Sequence, residues 1–512
     1  MKGELPPDRD IRMNKRGKPL PSARRVRTSL QTTGRVDKSR FTAAVAHYFE
    51  FIHRDVSFLN GSRDYLRNRQ YCCQEAGKSD PRCIPISVPK NDPYLKVTDI
   101  RCLNFSRAQT FQESGCTPEI VPPEQINFQT PLLDLSTIYG VDKAALAKIR
   151  KGEYGMLILE KRNQRYVPQY INNVTTVNTV KIKSDITLKE KDGEPMKSVD
   201  DKLKIAMKDN ATETENMTEA TIPNSENIYD SLKSEDVCIQ NRENETNCYR
   251  FGFKNMVNYD LVSSHVAHTT TYDEDVSPQV YAEYEIAIRF FHTLLDGRVK
   301  LYTESHHYKG EFSHSETLYR QGLIEENKNF EEINRGTFFQ SSAKIDDIQD
   351  PEISENFFGD LQKAHDLAAI DIQRGRDMGL RGYNDYRYLC GIKAVKQFDD
   401  LLDVMDAEKV EALRHLYDKV DDIDLLAGIM SENFIQGAYV GPTLYCIMTK
   451  QLQIFKYSDR FWYERGDQFH SFSLGQLHEI RKTNMARLAC DNAEGIKYIQ
   501  PQSFLNIKPG YV

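Results

Sequence analysis

The stretch IQRGRDMGLRGYNDYRYLCG, running from Ile372 to Gly391, is the strongest local signature in this 512-residue chain. It holds Asn384 and Arg387 and ends beside Cys390. Outward from it, apolar residues recur at helical spacing. On the C-terminal side they indicate helices at about 406–418 (Val410, Leu413, Leu416) and 473–489 (Leu477, Ile480, Leu488). On the N-terminal side Tyr281, Tyr284, Ile288, Phe291 and Leu295 form a stripe with His292 on its flank. A short helix is expected at about 142–151, and another period begins at Phe41 and continues through Val45, Tyr48 and Ile52. No segment sustains strand alternation and no repeat is evident. The expected architecture is mainly α: one large helical domain over 41–505 with few strands, an extended surface arm at 1–40, and a tail at 506–512.

At 39% hydrophobic residues the chain can bury a large core. Its net charge of −7 gives no basic footprint for nucleic acid or a membrane surface. No run approaches the roughly 18 apolar residues a spanning helix needs. Residues 184–236 are rich in Lys, Glu, Asp, Asn, Ser and Thr, and read as a disordered, glycosylated insertion. Asn-x-Ser/Thr sequons stand at Asn60, Asn104, Asn173, Asn210, Asn216 and Asn244. With ten cysteines they favour a secretory origin. The N-terminus, MKGELPPDRDIRMNKRGK, has no apolar core, so no signal peptide is visible; a processed or incomplete product is the preferred explanation. Cysteine spacing offers no zinc site. Pairing is expected among Cys72, Cys73, Cys83, Cys102 and Cys116 in a loop-rich segment at 61–120, with the connectivity open.

The Ile372–Gly391 stretch resembles the IQRGRDHGLPGYNxxR segment of animal haem peroxidases. LPSAR from Leu20, EQIN from Glu124, TPLLDLSTIYG from Thr130, VDDIDL from Val420, GPTLYC from Gly441, DRFWYE from Asp459 and ARLACDN from Ala486 follow in that family's order. The resemblance, to peroxidasin- and chorion-peroxidase-like members, implies a mostly helical fold, non-covalent haem b and bound calcium. It also implies an extracellular location, hydrogen peroxide with a small-molecule reductant as substrates, and extracellular-matrix proteins as possible partners. It implies Cys390–Cys446 and Cys238–Cys248 bridges, and Cys490 is expected as a free thiol.

Arg289-Phe290-Phe291-His292-Thr293 matches a segment like FRFGHT, which makes His292 the expected axial ligand of haem iron. Asn384 matches the imidazole's hydrogen-bond partner, and Arg289 and Arg387 match arginines that pair with haem propionates. Phe291 replaces the glycine before the ligand, where a phenyl ring would crowd a porphyrin. Thr130, Leu132, Asp134 and Ser136 match the family's calcium loop, with Asp55 supplying a further carboxylate; hard oxygen donors suit calcium.

The opposite face departs from the family. A segment like GQFIDHDL reads here Phe49-Glu50-Phe51-Ile52-His53-Arg54-Asp55-Val56. Aligned without gaps, Arg54 stands for the catalytic histidine, His53 for the ester-forming aspartate and Glu50 for the glutamine. Peroxide cleavage needs a base, and a guanidinium does not deprotonate in proteins. His53, one position away, should point about 100° from the base's direction. A second distal motif resembling CYRAGDxRVNE begins at Cys248 and puts Asn255 and Asn258 in the Arg and Glu places; a rival alignment keeps both groups as Arg242 and Glu245. Three readings follow: a haem-binding member with peroxidase activity weak or lost, an active peroxidase acting on phenols, tyrosines or halides, and a haem-free, calcium-stapled binding or matrix scaffold with Phe291 filling the cavity.

Overall fold

A computed structural model describes residues 11–57, 70–108, 267–318, 320, 322–359, 365–435, 438–469, 471–492 and 499–506, with short pieces at 59, 110–111, 124–125, 127, 159–162, 165–168, 237–240 and 246–249. Among the described residues the α-helices of five or more residues are α1 (Ala23–Leu30), α2 (Ala43–Val56), α3 (Ala282–Ala287) and α4 (Asn329–Phe339). They continue with α5 (Leu367–Asp377), α6 (Tyr383–Leu389), α7 (Ala407–Leu416) and α8 (Leu425–Ile429). The last are α9 (Pro442–Ser458), α10 (Leu474–Arg481) and α11 (Met485–Asn492). Strands are short and pair two by two. Two of these pairs join β1 (Lys38–Thr42) to β4 (Ser341–Ala343), and β2 (Arg298–Tyr302) to β3 (Tyr308–Ser313). The architecture is mainly helical, as the periodicity and the resemblance imply.

Several expectations change in detail. Residues 23–30 of the supposed surface arm form α1, whose Ala23, Val26 and Leu30 enter the core. Arg12 anchors the preceding segment, with Nη1 2.7 Å from Asp424 Oδ1. Phe41 lies in β1 rather than in a helix, and Tyr48 is exposed; α2 buries Ala44, Val45, Ala46, Asp55 and Val56 instead. The expected helix at 473–489 is two, broken between Arg481 and Met485. The expected helix at 142–151 and the insertion at 184–236 lie outside the described residues.

The motifs owe their residue types to the contacts they make. Arg24 of LPSAR is fully buried, 2.8 Å from Asp92, 2.7 Å from Glu355 and 2.6 Å from Asp366. Asp366 also caps α5, accepting from Ala369 N at 3.1 Å. In α5, Gln373 donates to Ile84 O and Arg374 to Ser106 O, while Asp377 accepts from Arg107 Nε and Ala108 N. Arg376 grips Asp424 from the same helix. The signature is thus a hub that ties residues 84–108 to the helical core. Gly379, at φ +71°, ends it in a conformation that penalises other side chains. Gly428 lets α8 lie against Tyr383, where a Cβ would meet the ring at 2.2 Å.

Disulfides join Cys72 to Cys83, Cys73 to Cys102 and Cys390 to Cys446, while Cys490 is free and exposed. The last bridge and the free thiol match expectation, and the first two settle the connectivity left open for those four cysteines. Cys116 lies outside the described residues. Cys238 faces Cys248 across an antiparallel backbone ladder. The Asn104 sequon is a correction. Asn104 is 8% exposed and its Oδ1 accepts from Cys72 N at 2.8 Å, so it is a structural residue and a poor glycan acceptor.

Candidate functional site

His292 stands on a 3-10 turn, Ile288–Leu294, that continues α3. In a 3-10 turn side chains three apart eclipse, which puts Arg289 and His292 on one face. Both meet Asp371 of α5: His292 Nδ1 lies 2.7 Å from Oδ2, and Arg289 Nη1 lies 3.0 Å from Oδ1. Burial alone would raise the Asp371 carboxyl, but His292 and Arg289 together hold it below the usual range. A carboxylate on Nδ1 fixes the ring and leaves Nε2 as the outward nitrogen.

Asn384 is not the imidazole's partner. Its Nδ2 donates to Val395 O and Asp421 Oδ1, and its Oδ1 accepts from Val395 N. The partner found instead, Asp371, sits one residue before the quoted signature; a carboxylate on the helix that carries the signature was the available signal. The two arginines are also committed. Arg387 is fully buried against Asp403 and Lys393 O, and Arg289 binds Glu285 Oε1 at 2.5 Å as well as Asp371. Neither guanidinium keeps a fork open for a propionate, because each is already matched to a protein carboxylate.

Across from His292 runs α2. Residues four apart share a helix face, so Phe49 and His53 project together, as do Glu50 and Arg54. Arg54 turns towards solvent, with its side chain 49% exposed and Nη2 3.8 Å from Glu50 Oε1. Burial would raise the Glu50 carboxyl, but Arg54, His47, His292 and His314 hold it below the usual range. His53, one position along the helix from Arg54, turns inward, and its Nε2 lies 3.2 Å from Glu285 Oε2. Burial pushes the His53 imidazole down to about 4, outweighing the pull of Glu285, so the ring is neutral near pH 7. A chain of contacts therefore crosses from α2 to the 3-10 turn: His53, Glu285, Arg289, Asp371, His292.

Beside that chain the rings of Phe49 and Phe291 stack at 4.6 Å with 6° between their planes. A porphyrin held between the two elements would need roughly 7 Å, about 3.5 Å of carbon contact on each face. A cavity on the same elements, lined by Ala43, Ala46, His47, Leu294 and His314, holds about 20 Å³, enough for a water. The described residues thus bring His292 and α2 together without room for haem. No group of three or more His, Cys, Asp or Glu among them is placed to hold a metal ion.

Of the calcium set, Asp55 is fully buried in the last turn of α2. Asn127 Nδ2 donates to Val56 O at 2.8 Å and residue 127 bridges Leu59, so Asn127 lies beside that turn. A buried carboxylate suits a hard cation. Thr130, Leu132, Asp134 and Ser136 lie outside the described residues, as do Asn255, Asn258, Arg242 and Glu245. No helix among the described residues is long and apolar enough to cross a membrane.

Comparison with known proteins places this architecture. The animal haem peroxidase family model matches residues 5–190 and 239–504. The chain is 30% identical over 510 residues to a Drosophila melanogaster peroxidase, covering 96% of this chain and 73% of that one. It is 25% identical to the chorion peroxidase of Drosophila melanogaster, covering 93% of this chain and 60% of that one. It is also 26% identical to a Mus musculus peroxidasin homolog, of which it spans 34%. Among solved structures, peroxidase A from Dictyostelium discoideum shares the fold with a TM-score of 0.64 at 20% identity, covering 98% of this chain and 95% of that chain. The chain belongs to the animal haem peroxidase family.

Proposed function

We propose that this chain is a catalytically impaired member of its family: a secreted, calcium-stapled helical protein in which peroxide turnover is weak or lost, retained for binding in the extracellular matrix. The observation that carries this reading is the pair of side chains where the family's base would stand. Arg54 faces solvent against Glu50 and cannot accept a proton. His53, which can, is buried with its Nε2 against Glu285. Removing a general base alone costs roughly 100- to 10,000-fold. Secretion is supported by the disulfides, which persist in oxidising compartments. Calcium is supported by Asp55, with the loop from Thr130 to Ser136 completing the ligand set.

One observation favours a second reading, an active peroxidase oxidising small phenolic or halide reductants. His53 is turned inward and kept neutral, as a base should be. Guaiacol oxidation by the hemin-supplemented full chain separates the two. The first reading expects a rate no higher than free hemin; a faster rate that disappears in His53→Ala establishes the second.

A further inference from the structure

The two phenylalanines that stack across the α2 seam share a property visible only when both motifs are laid on the structure. Gapless alignment with GQFIDHDL places Phe49 on that motif's first residue, a glycine. Alignment with FRFGHT places Phe291 on the glycine before the histidine. Each replacement adds a phenyl ring where the pattern has no side chain, one on α2 and one on the 3-10 turn. The rings do not point away independently; they meet face to face, 4.6 Å apart and nearly parallel. Phe290, itself buried, packs edge-on to Phe291 at 6.0 Å and to Phe434 at 6.2 Å.

We propose that Phe49 and Phe291 form a built-in aromatic plug that occupies the porphyrin slot, so that the native chain folds and persists as a haem-free protein. The His53–Glu285 contact closes the same seam beside the plug, and there Arg289 matches the charges of Glu285 and Asp371, which also meets His292. Stacked aromatic pairs are favourable beyond the area they bury, so opening the seam has an intrinsic cost that a porphyrin must overcome. His292 is held by Asp371 through Nδ1, which leaves Nε2 as the nitrogen for a ligand, and the site is blocked rather than dismantled.

The test is a hemin titration of the full-length protein followed by visible absorption, with thermal melts in parallel. The wild-type chain is expected to give no stoichiometric Soret band and no shift in its melting midpoint. Phe49→Gly with Phe291→Gly is expected to tighten hemin binding by roughly tenfold or more, with a Soret band that His292→Ala abolishes. Two glycines in helical segments cost stability, so Phe49→Ala with Phe291→Ala serves as the milder variant. A wild-type chain that takes one equivalent of hemin through His292 overturns the proposal, whatever the variants do. So does a variant that melts cooperatively yet binds no better than wild type. Wild-type hemin binding without peroxide turnover would overturn the plug alone and leave the proposed loss of catalysis standing.

Discussion

His53 shows how one side chain carries both the case for lost catalysis and the case against it. Its ring is neutral because burial opposes the charged form, and its imidazole is pushed down to about 4 from an ordinary 6.5. A depressed histidine favours the folded state when neutral. That contribution is complete above pH 6.5 and is lost as pH falls from 6.5 through 4, up to about 3 kcal/mol in all. His53→Gln keeps a polar side chain beside Glu285 but cannot titrate. The variant is therefore expected to lose less stability than wild type between pH 6.5 and 4, measured by urea unfolding at each pH. Parallel curves for the two proteins would show that His53 is not held neutral by the fold. Arg54, one position along, makes no comparable demand: it is half-exposed, and its pairing with Glu50 is of the surface kind that contributes little.

At the scale of elements, α1 and α5 are joined through a buried cation. Arg24 lies among Asp92, Glu355 and Asp366 with no exposure of its own. Replacing it with methionine fills the volume but leaves the buried Asp92 without a cation and Glu355 and Asp366 with Arg27 alone, and breaking a buried pair typically costs about 3–5 kcal/mol. Denaturant unfolding of Arg24→Met should show a loss of that size, and a loss below about 1 kcal/mol would contradict the assigned role. Much of this was legible beforehand. The motif LPSAR, the IQRGRD hub, the helix over 407–416 and the Cys390–Cys446 bridge all follow from short-range pattern or from resemblance. What was not legible depends on contacts between distant segments. Asp371 reaches His292 only because a 3-10 turn eclipses Arg289 and His292, and periodicity does not separate that turn from a regular helix. His53 faces inward because Phe49, four residues earlier, shares its face and stacks on Phe291. Asn104 reads as a glycan acceptor until the backbone of Cys72 is seen to need its side-chain oxygen.

For the whole molecule, calcium and haem make opposite demands on α2. Calcium would fasten its last turn, through Asp55, to the loop that begins at Thr130 and so preserve the scaffold without any redox role. A cation held at a hundredfold excess over its dissociation constant stabilises by about 2.7 kcal/mol. Chelating calcium from the full chain should therefore lower the melting midpoint, and Asp55→Ala should melt at the chelated value with or without calcium. Identical melts of the wild type in calcium and in chelator would remove calcium from the account. Haem demands instead that α2 stand away from His292, and Phe49, Phe291, His53 and Glu285 hold the two together. The most direct measurement of that claim is the visible spectrum of the full chain mixed with one equivalent of hemin, recorded before and after hydrogen peroxide. The account predicts the broad spectrum of free hemin, unchanged in character by the protein, with guaiacol oxidised no faster than by hemin alone. A sharp Soret band that depends on His292 and responds to peroxide with rapid guaiacol turnover would contradict it.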